Sequence, residues 1–231
     1  MSTRIKPKEV FVVVPAFNEN AVIRQVVSDL LGFQYQVVVI DDGSETSLYA
    51  LLNDLPVYFL RHEINLGQGA ALQTGIEFAL TKDGNYIVTF DADGQHRATD
   101  IERLIQPLAD NEANFVLGSR FIEGASHNMP WRRKILLQLV SYLNYFFTGL
   151  LLTDAYNGLR AMTRPVAEKI HLVENGMAHS TEFLAQIKKN KFRYKEIAVN
   201  INYTEYSLKK GLTLWSGFRI LIDIFLNKIF K

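Results

Sequence analysis

The chain has 231 residues, of which 48% are hydrophobic and 21% charged, a composition that suits a globular protein with a sizeable core. Its formal net charge of +1 gives no indication of a nucleic-acid partner, and the absence of cysteine excludes disulfides, thiolate catalysis and cysteine-ligated zinc. The charge is uneven, because residues 188–231 carry 10 Lys/Arg against 3 Asp/Glu, and a basic end that is also apolar favours an anionic membrane surface.

The first 124 residues alternate between apolar strands and amphipathic helices. The pattern predicts strands at 10–16, 36–40, 57–60, 86–90 and 115–121 and helices at 20–31, 46–53, 65–80 and 99–109. Such alternation predicts an α/β fold with a mostly parallel central sheet and helices on both faces. Ligands of these sheets bind beyond the carboxyl ends of the strands. Four polar motifs follow such ends, namely FNE, DDGS, NLGQG and DADGQ.

The pattern changes after residue 124. Residues 131–152 are mostly apolar, 154–163 predict a loop and a strand, 179–190 a helix, 192–203 a half-exposed strand and 213–230 an amphipathic helix. We therefore expect one domain over residues 1–211 and a C-terminal helix over 212–231. The segments 131–152 and 213–230 suit the membrane interface, with packing on the protein itself or on a partner chain as the alternative. The N-terminus lacks the apolar core of a signal peptide, so a cytoplasmic body is expected.

The DADGQ motif holds two carboxylates close together. Asp91 and Asp93 share one side if the backbone stays extended, and they repel each other unless a cation lies between them. Mg²⁺ or Mn²⁺ fits this need, because such ions take oxygen ligands from one or two carboxylates and from substrate phosphates. Gln95 can add a neutral oxygen. The alternative is a solvated Asp-Gly turn that ends the strand.

Three further groups of residues are candidates for ligand binding. Asp41 and Asp42 can accept hydrogen bonds from a base or a ribose, or form a plain turn. Gly67 lets the backbone approach a phosphate or sugar closely, or serves a tight turn into a helix. Guanidinium groups suit phosphate oxygens, which makes candidates of Arg120, Arg132 and Arg133, although the last two can equally be solvated or face a membrane. His96 is interpreted as structural rather than as a metal ligand.

Taken together, these motifs resemble family 2 glycosyltransferases, in particular the dolichyl- and polyprenyl-phosphate mannose synthases. The matching stretches stand in the family's order over residues 10 to about 165: VVVPAFNE, VVVIDDGS, NLGQGAAL, DADGQH, LGSRF and DAYNGLRAM. The resemblance implies a GT-A fold, a nucleotide-sugar donor and inversion at the transferred sugar. The chain departs from the synthases where they carry a serine after the basic pair, and YTEYSLKKG replaces their arginine-rich loop.

The resemblance also assigns roles to residues. Pro15, Phe17, Glu19 and Asp41 would hold the base and ribose, while Asp91, Asp93 and Gln95 would surround the metal and the donor diphosphate. Arg120 would meet the acceptor phosphate. Because the serine is missing, Lys209 or Lys210 can take its place in the phosphate clamp.

The acceptor decides whether a general base is needed. A lipid phosphate is already largely ionised near neutral pH, since phosphate monoesters have a second pKa of about 6. A sugar hydroxyl must lose a proton, for which Asp154 is the first candidate and Glu182 the second, unless both are structural. Three interpretations stay open: a transferase to a polyprenyl-linked acceptor, a transferase that extends a glycan, and a non-catalytic nucleotide-sugar-binding protein. A small membrane protein or a second copy of the chain can be a partner in each.

Overall fold

The computed structural model describes residues 5–123, 125, 129, 131–176 and 178–203. A 3₁₀ turn at Pro7–Glu9 precedes the first strand. The strands are β1 Val10–Ala16, β2 Gln36–Asp41, β3 Tyr58–Arg61, β4 Tyr86–Thr89, β5 Phe115–Ser119, β6 Arg160–Thr163 and β7 Tyr194–Ala198. The helices are α1 Ile23–Gly32, α2 Tyr49–Leu52, α3 Gln68–Leu80, α4 Asp100–Ala109, α5 Trp131–Thr148, α6 Arg164–Ala167 and α7 His179–Lys189.

The strands form one seven-stranded sheet in the order β3-β2-β1-β4-β6-β5-β7. Strands β1 to β4 pair in parallel, and β5 pairs in parallel with β7. Within this sheet β6 runs against both of its neighbours, β4 and β5. The predicted mostly parallel sheet is therefore confirmed, and the carboxyl ends of β1, β2, β4 and β5 meet at one edge.

Helices cover both faces of the sheet, as the alternating pattern predicts. Val10, Val12 and Val14 of β1 pack in a cluster with α1 and α4, whereas Phe11 and Val13 pack on the other face with α3, α6 and α7. Because both faces are buried, β1 reads as a continuous apolar run rather than as an alternation. This two-sided core fixes the strand ends, and with them the loops that carry the polar motifs.

The structure differs from the sequence-based expectation after residue 124. The mostly apolar stretch 131–152 forms helix α5 only as far as Thr148, because Gly149 adopts a φ of +67° and stops the helix. Strand β7 is shorter than predicted, and α6, which has Pro165 in its first turn, was not predicted. Within the described residues no helix is both long and apolar enough to cross a membrane. The C-terminal helix and the boundary at residue 211 lie outside the described residues.

Helix α5 presents an unusual outer face. Large apolar side chains at i, i+4, i+8, i+11 and i+15 lie on its solvent side and are more than half exposed: Trp131, Ile135, Leu139, Tyr142 and Phe146. Its buried positions include polar side chains, namely Ser141, Asn144 and Thr148. We call these five exposed residues the α5 stripe. A helix whose exposed face is this apolar does not follow the usual pattern of a solvent-exposed helix.

Candidate active site

A cavity of about 620 Å³ opens at the carboxyl edge of the sheet. Its lining includes nine residues that the sequence nominated for a site: Pro15, Phe17, Glu19, Asp42, Gly67, Asp91, Asp93, Gln95 and Arg120. They come from the ends of β1, β2, β4 and β5 and from the loop that leads into α3. The structure therefore brings together residues that are up to about a hundred positions apart in the chain, which is what strand ends do in a parallel sheet.

Asp91 is held on both of its carboxylate oxygens. Gln68 Nε2 donates to Oδ1 at 3.0 Å, and His96 Nε2 lies 3.1 Å from Oδ2. Burial would raise the pKa of Asp91, but His96 and the nearby Arg160 outweigh it and keep the pKa below its usual value. Gly158 packs so closely that a Cβ there would come within 2.0 Å of Asp91 Oδ2, so no larger residue fits without movement.

Asp93 has the opposite electrostatic environment. Burial and the negative charge of Asp91 raise its pKa to about 6. The backbone turns here rather than staying extended, with Gly94 at a φ of +74°. Gln95 turns toward Asp93, with its backbone N–H at 3.0 Å from Oδ1 and its side-chain Nε2 at 2.7 Å from Oδ2. The amide nitrogen of Gln95 is thus a partner of Asp93 in this structure, and metal binding by its oxygen stays a prediction.

The two carboxylates suit a divalent cation. In the described part of the chain, no cationic side chain forms an ion pair with Asp93. No three His, Asp or Glu side chains cluster into a metal site among the described residues. A Mg²⁺ or Mn²⁺ ion that is also bound by substrate phosphates needs only one or two protein carboxylates. The donor chemistry of Asp91 and Asp93 therefore fits such an ion.

Arg120 and Asp154 form a buried ion pair at one wall of the cavity. Arg120 Nε donates to Asp154 Oδ2 at 2.6 Å, Nη2 to Oδ1 at 2.7 Å, and the Arg120 backbone N–H to Oδ2 at 3.0 Å. The remaining Nη1 lies 3.2 Å from the hydroxyl of Tyr203. The two-pronged edge of the guanidinium, which was expected to bind a phosphate, thus binds a carboxylate of the protein.

Both carboxylates that the sequence offers as a general base are held by groups of the protein. Burial would raise the pKa of Asp154, but Arg120 lowers it below the usual value, and Asp154 is not part of the cavity lining. Glu196 in turn accepts hydrogen bonds from the backbone N–H groups of Thr153 and Asp154, which holds this loop. Glu182 accepts the backbone N–H groups of Val173 and Glu174. Both carboxylates therefore have structural contacts.

The two aspartates of DDGS lie in different places: Asp41 lies behind the cavity and Asp42 lies in its lining. Asp41 is fully buried and does not line the cavity. Its Oδ1 accepts the Ser44 N–H at 3.0 Å, and its Oδ2 accepts the Leu48 N–H at 3.1 Å and pairs with Arg61. Asp42 does line the cavity. The structure thus does not bring Asp41 to the place where the resemblance would have it contact a base.

Several residues of the site were missed in the sequence. Gln68, Tyr156, Asn157 and Ile201 line the cavity. Arg160 is buried behind Asp91, with its Nη2 3.0 Å from Ser180 Oγ, and burial lowers its pKa to about 10. Gln68 lies between the two glycines of NLGQG. Because this motif follows a strand end, the sequence could have identified Gln68 as a site residue. The side chains of Arg132 and Arg133, and the whole of Lys209 and Lys210, lie outside the described residues.

The chain is similar in sequence to known glycosyltransferases. The family model described as "Glycosyl transferase family 2" matches residues 11–171. A UDP-N-acetylglucosamine–dolichyl-phosphate N-acetylglucosaminyltransferase of Methanococcus voltae is 31% identical over 245 residues, covering 97% of this chain and 98% of the relative. A polyprenol monophosphomannose synthase of Mycolicibacterium smegmatis is 29% identical over 221 residues, covering 90% of this chain and 82% of the relative.

A solved structure shares the fold. Glucosyl-3-phosphoglycerate synthase from Mycobacterium tuberculosis, in complex with Mn²⁺, UDP and phosphoglyceric acid, superposes with a TM-score of 0.71. The match covers 94% of this chain and 77% of that chain at 17% sequence identity, so it bears on the fold alone. The predicted GT-A fold is confirmed.

Proposed function

Because the chain belongs to glycosyl transferase family 2, we propose that it transfers a sugar from a nucleoside-diphosphate donor to a polyprenyl phosphate at the cytosolic face of a membrane. The relatives named for dolichyl phosphate and polyprenol monophosphate, which match most of the chain, support this acceptor class. The observation that carries the choice of acceptor is the buried pair of Arg120 and Asp154.

The pairing of Asp154 with Arg120 argues against a sugar hydroxyl as the acceptor, because Asp154 was the first candidate for the base that such an acceptor needs. Transfer to a sugar hydroxyl requires a carboxylate that can take up a proton. Asp154 is held by Arg120 with a lowered pKa, and Glu182 is occupied by backbone N–H groups. A polyprenyl phosphate has a second pKa of about 6, so it is a nucleophile near neutral pH without help from a base.

The reaction we propose is a single displacement. A phosphate oxygen of the acceptor forms a bond to the anomeric carbon while the bond from that carbon to the nucleoside diphosphate breaks on the opposite face, which inverts configuration. Asp154 and Tyr203 hold the guanidinium of Arg120 at the cavity wall, where its charge attracts the acceptor phosphate. Because Asp154 cancels part of that charge, we propose that Arg132, Arg133 and Lys210 complete the clamp.

The donor lies along the nominated residues at the ends of β1, β2 and β4. Phe17, Glu19 and Asp42 would contact the base and ribose beside Pro15, and Gly67 would let the backbone approach the diphosphate. Asp41 would support this side from behind, through Ser44 and Leu48. Asp91 and Asp93, with Gln95 beside them, would hold Mg²⁺ or Mn²⁺, which when bound supplies positive charge to the leaving diphosphate.

The membrane part of the proposal is supported by two features of the chain. The α5 stripe offers apolar side chains that are more than half exposed. The excess of Lys/Arg over residues 188–231 suits anionic headgroups. Exposed apolar side chains and positive charge are the two features by which interfacial proteins bind anionic bilayers without spanning them.

The test is an acceptor assay. Purified protein with Mn²⁺ is incubated with UDP-, GDP- or dTDP-sugars and a short-chain polyprenyl phosphate, and the sugar-lipid product is separated by thin-layer chromatography. We expect one donor to give a sugar-lipid whose anomeric configuration is opposite to that of the donor. Transfer to a hydroxyl acceptor alone would replace this function with glycan extension, and donor binding with no transfer to either acceptor would indicate a non-catalytic binding protein.

A further inference from the structure

The loop between β3 and α3 is fixed from the side of β2. This glycine loop, residues 65–69, directs two successive backbone N–H groups at Asp42. The Leu66 N–H donates to Asp42 Oδ1 at 3.0 Å and the Gly67 N–H donates to Oδ2 at 2.8 Å. A carboxylate that accepts two neighbouring backbone N–H groups sets both the position and the orientation of that backbone.

His62 fixes Asp42 in turn. Its Nδ1 lies 2.7 Å from Asp42 Oδ1 and its Nε2 lies 3.0 Å from the hydroxyl of Thr74 on α3. Because a carboxylate only accepts, Nδ1 carries the hydrogen and donates to Asp42. An imidazole bonded at both nitrogens cannot rotate without losing a contact. His62 is mostly buried and does not line the cavity, so any effect of this residue on a ligand must be indirect.

The opposite side of the glycine loop is equally confined. Gly67 has a φ of +106°, and a Cβ at this position would come within 2.3 Å of the Asn175 carbonyl oxygen. The Gly69 N–H donates to the same carbonyl at 2.7 Å. The glycine loop is therefore held between Asp42 on one side and residues 174–176 on the other. The residue that this confinement positions is Gln68, which lies between the two glycines.

Gln68 connects the glycine loop to the carboxylates of the site. Its side chain lines the cavity, and its Nε2 donates to Asp91 Oδ1 at 3.0 Å. Carboxylates that bind a metal are usually oriented by further hydrogen bonds of this kind, and loss of such a partner typically weakens metal binding or activity about 10–100-fold. We propose that His62 and Gln68 are positioning residues for the donor: His62 fixes the glycine loop through Asp42, and Gln68 thereby orients Asp91. This inference rests on the proposed function.

The test measures binding of UDP, GDP and dTDP in the presence of Mn²⁺ by calorimetry, using whichever nucleotide the wild type binds most tightly. We expect His62→Ala and Gln68→Leu each to weaken binding roughly 10–100-fold, and Thr74→Val, which removes only the hydroxyl contact of His62, to weaken it less. His62→Asn keeps a donor near the position of Nδ1 and should restore part of the affinity. The matched control is His171→Ala, a change of an exposed histidine, which should leave binding unchanged.

A double variant shows whether His62 affects donor binding through Gln68 or independently of it. If His62 acts through Gln68, the losses in His62→Ala/Gln68→Leu should not multiply, because the second change removes a contact that the first has already displaced. Losses that multiply, or His62→Ala binding as tightly as wild type, would overturn the inference while leaving the proposed function standing. A wild-type protein that binds none of UDP, GDP and dTDP with Mn²⁺ would overturn both. Thermal unfolding of each variant identifies any loss of binding that comes from misfolding.

Discussion

The proposed donor side of the cavity, at Asp91 and Asp93, and its proposed acceptor side, at Arg120 and Asp154, differ in how their charges are balanced. On the donor side, Asp91 and Asp93 lie close together, and the charge of the first helps to raise the pKa of the second to about 6. On the acceptor side, Asp154 is matched by Arg120 over two short hydrogen bonds, of 2.6 and 2.7 Å. We therefore propose that the donor side takes its cation from solution together with the ligand, whereas the acceptor side has the guanidinium of Arg120.

This difference separates residues that bind from residues that shape the site. A carboxylate pair that lacks a cation is poised to take one up with its ligand, at some cost in stability to the free protein. A closed buried ion pair gains little by opening, and breaking it exposes the full penalty of an unpaired buried charge. The α5 stripe is a separate feature, which leaves apolar surface uncovered.

The largest expected effect is on the donor side. Asp93→Ala should lower transfer by more than the roughly 10–100-fold that loss of an outer partner of a metal ligand costs. It should also abolish the dependence of donor binding on Mn²⁺. The free protein should keep or slightly gain stability, because a like-charge contact with Asp91 is removed. Sugar-lipid formation, calorimetry and chemical unfolding measure the three quantities.

The matched control for this variant is Asp83→Ala, which removes an exposed carboxylate outside the cavity and should change none of the three quantities. Full activity of Asp93→Ala in excess EDTA would show that the carboxylate pair is an ordinary strand-end turn. The contrast between the two sides of the cavity would then have no functional meaning.

The acceptor side should respond mainly through stability. Asp154→Ala leaves the buried guanidinium of Arg120 unpaired and should lower the free energy of unfolding by about 3–5 kcal/mol. In Arg120→Met/Asp154→Leu no charge is left unpaired, so this double variant should be more stable than Asp154→Ala although it transfers no sugar. Glu112→Ala breaks the exposed pair with Lys195 and, as the control, should cost at most about 1 kcal/mol.

The pH profile of transfer separates positioning from base catalysis at Asp154. Asp154→Asn keeps a side chain of the same shape, and as a positioning change it should lower the rate by a similar factor at every pH. If Asp154 were a general base, the acid limb of the pH–rate profile would disappear in this variant. That outcome, together with wild-type stability, would return the hydroxyl acceptor to first place.

The fold was predictable because its strands are buried on both faces. Continuous β-branched runs such as VFVVV and QVVVI are typical of central strands, and the helices between them indicate the parallel arrangement. The later elements depend on tertiary contacts that a local pattern does not carry. Strand β6 runs antiparallel between β4 and β5, and the end of α5 depends on the backbone of Gly149 rather than on a change in hydropathy.

The sequence could predict which strand ends form the site, but not which side chains bind each other there. The sequence nominated Arg120 and Asp154 separately, since nothing local shows that residues 34 positions apart bind each other. The sequence likewise could not show which of Asp41 and Asp42 faces the cavity. Neighbouring side chains at a strand end point to different sides, and the fold decides which side the cavity is on. His62 directly follows β3. It would have been a candidate if polar residues after the end of that strand had been considered too.

The smallest expected effect concerns the apolar surface of α5. Ile135→Ser/Phe146→Ser removes two side chains of the α5 stripe that are 56% and 66% exposed. Because they are exposed, stability should change little, whereas each should contribute roughly 1 kcal/mol to membrane binding, less than the 1.5–3 kcal/mol of full burial. Co-sedimentation with vesicles containing anionic lipid should therefore weaken about 30-fold for the double variant, by the tenfold per 1.4 kcal/mol relation. Val173→Ser, at a residue that is 69% exposed elsewhere on the surface, is the matched control. If the wild type does not bind such vesicles at low salt, the α5 stripe is an interface with protein. The acceptor must then reach the cavity without contact with α5.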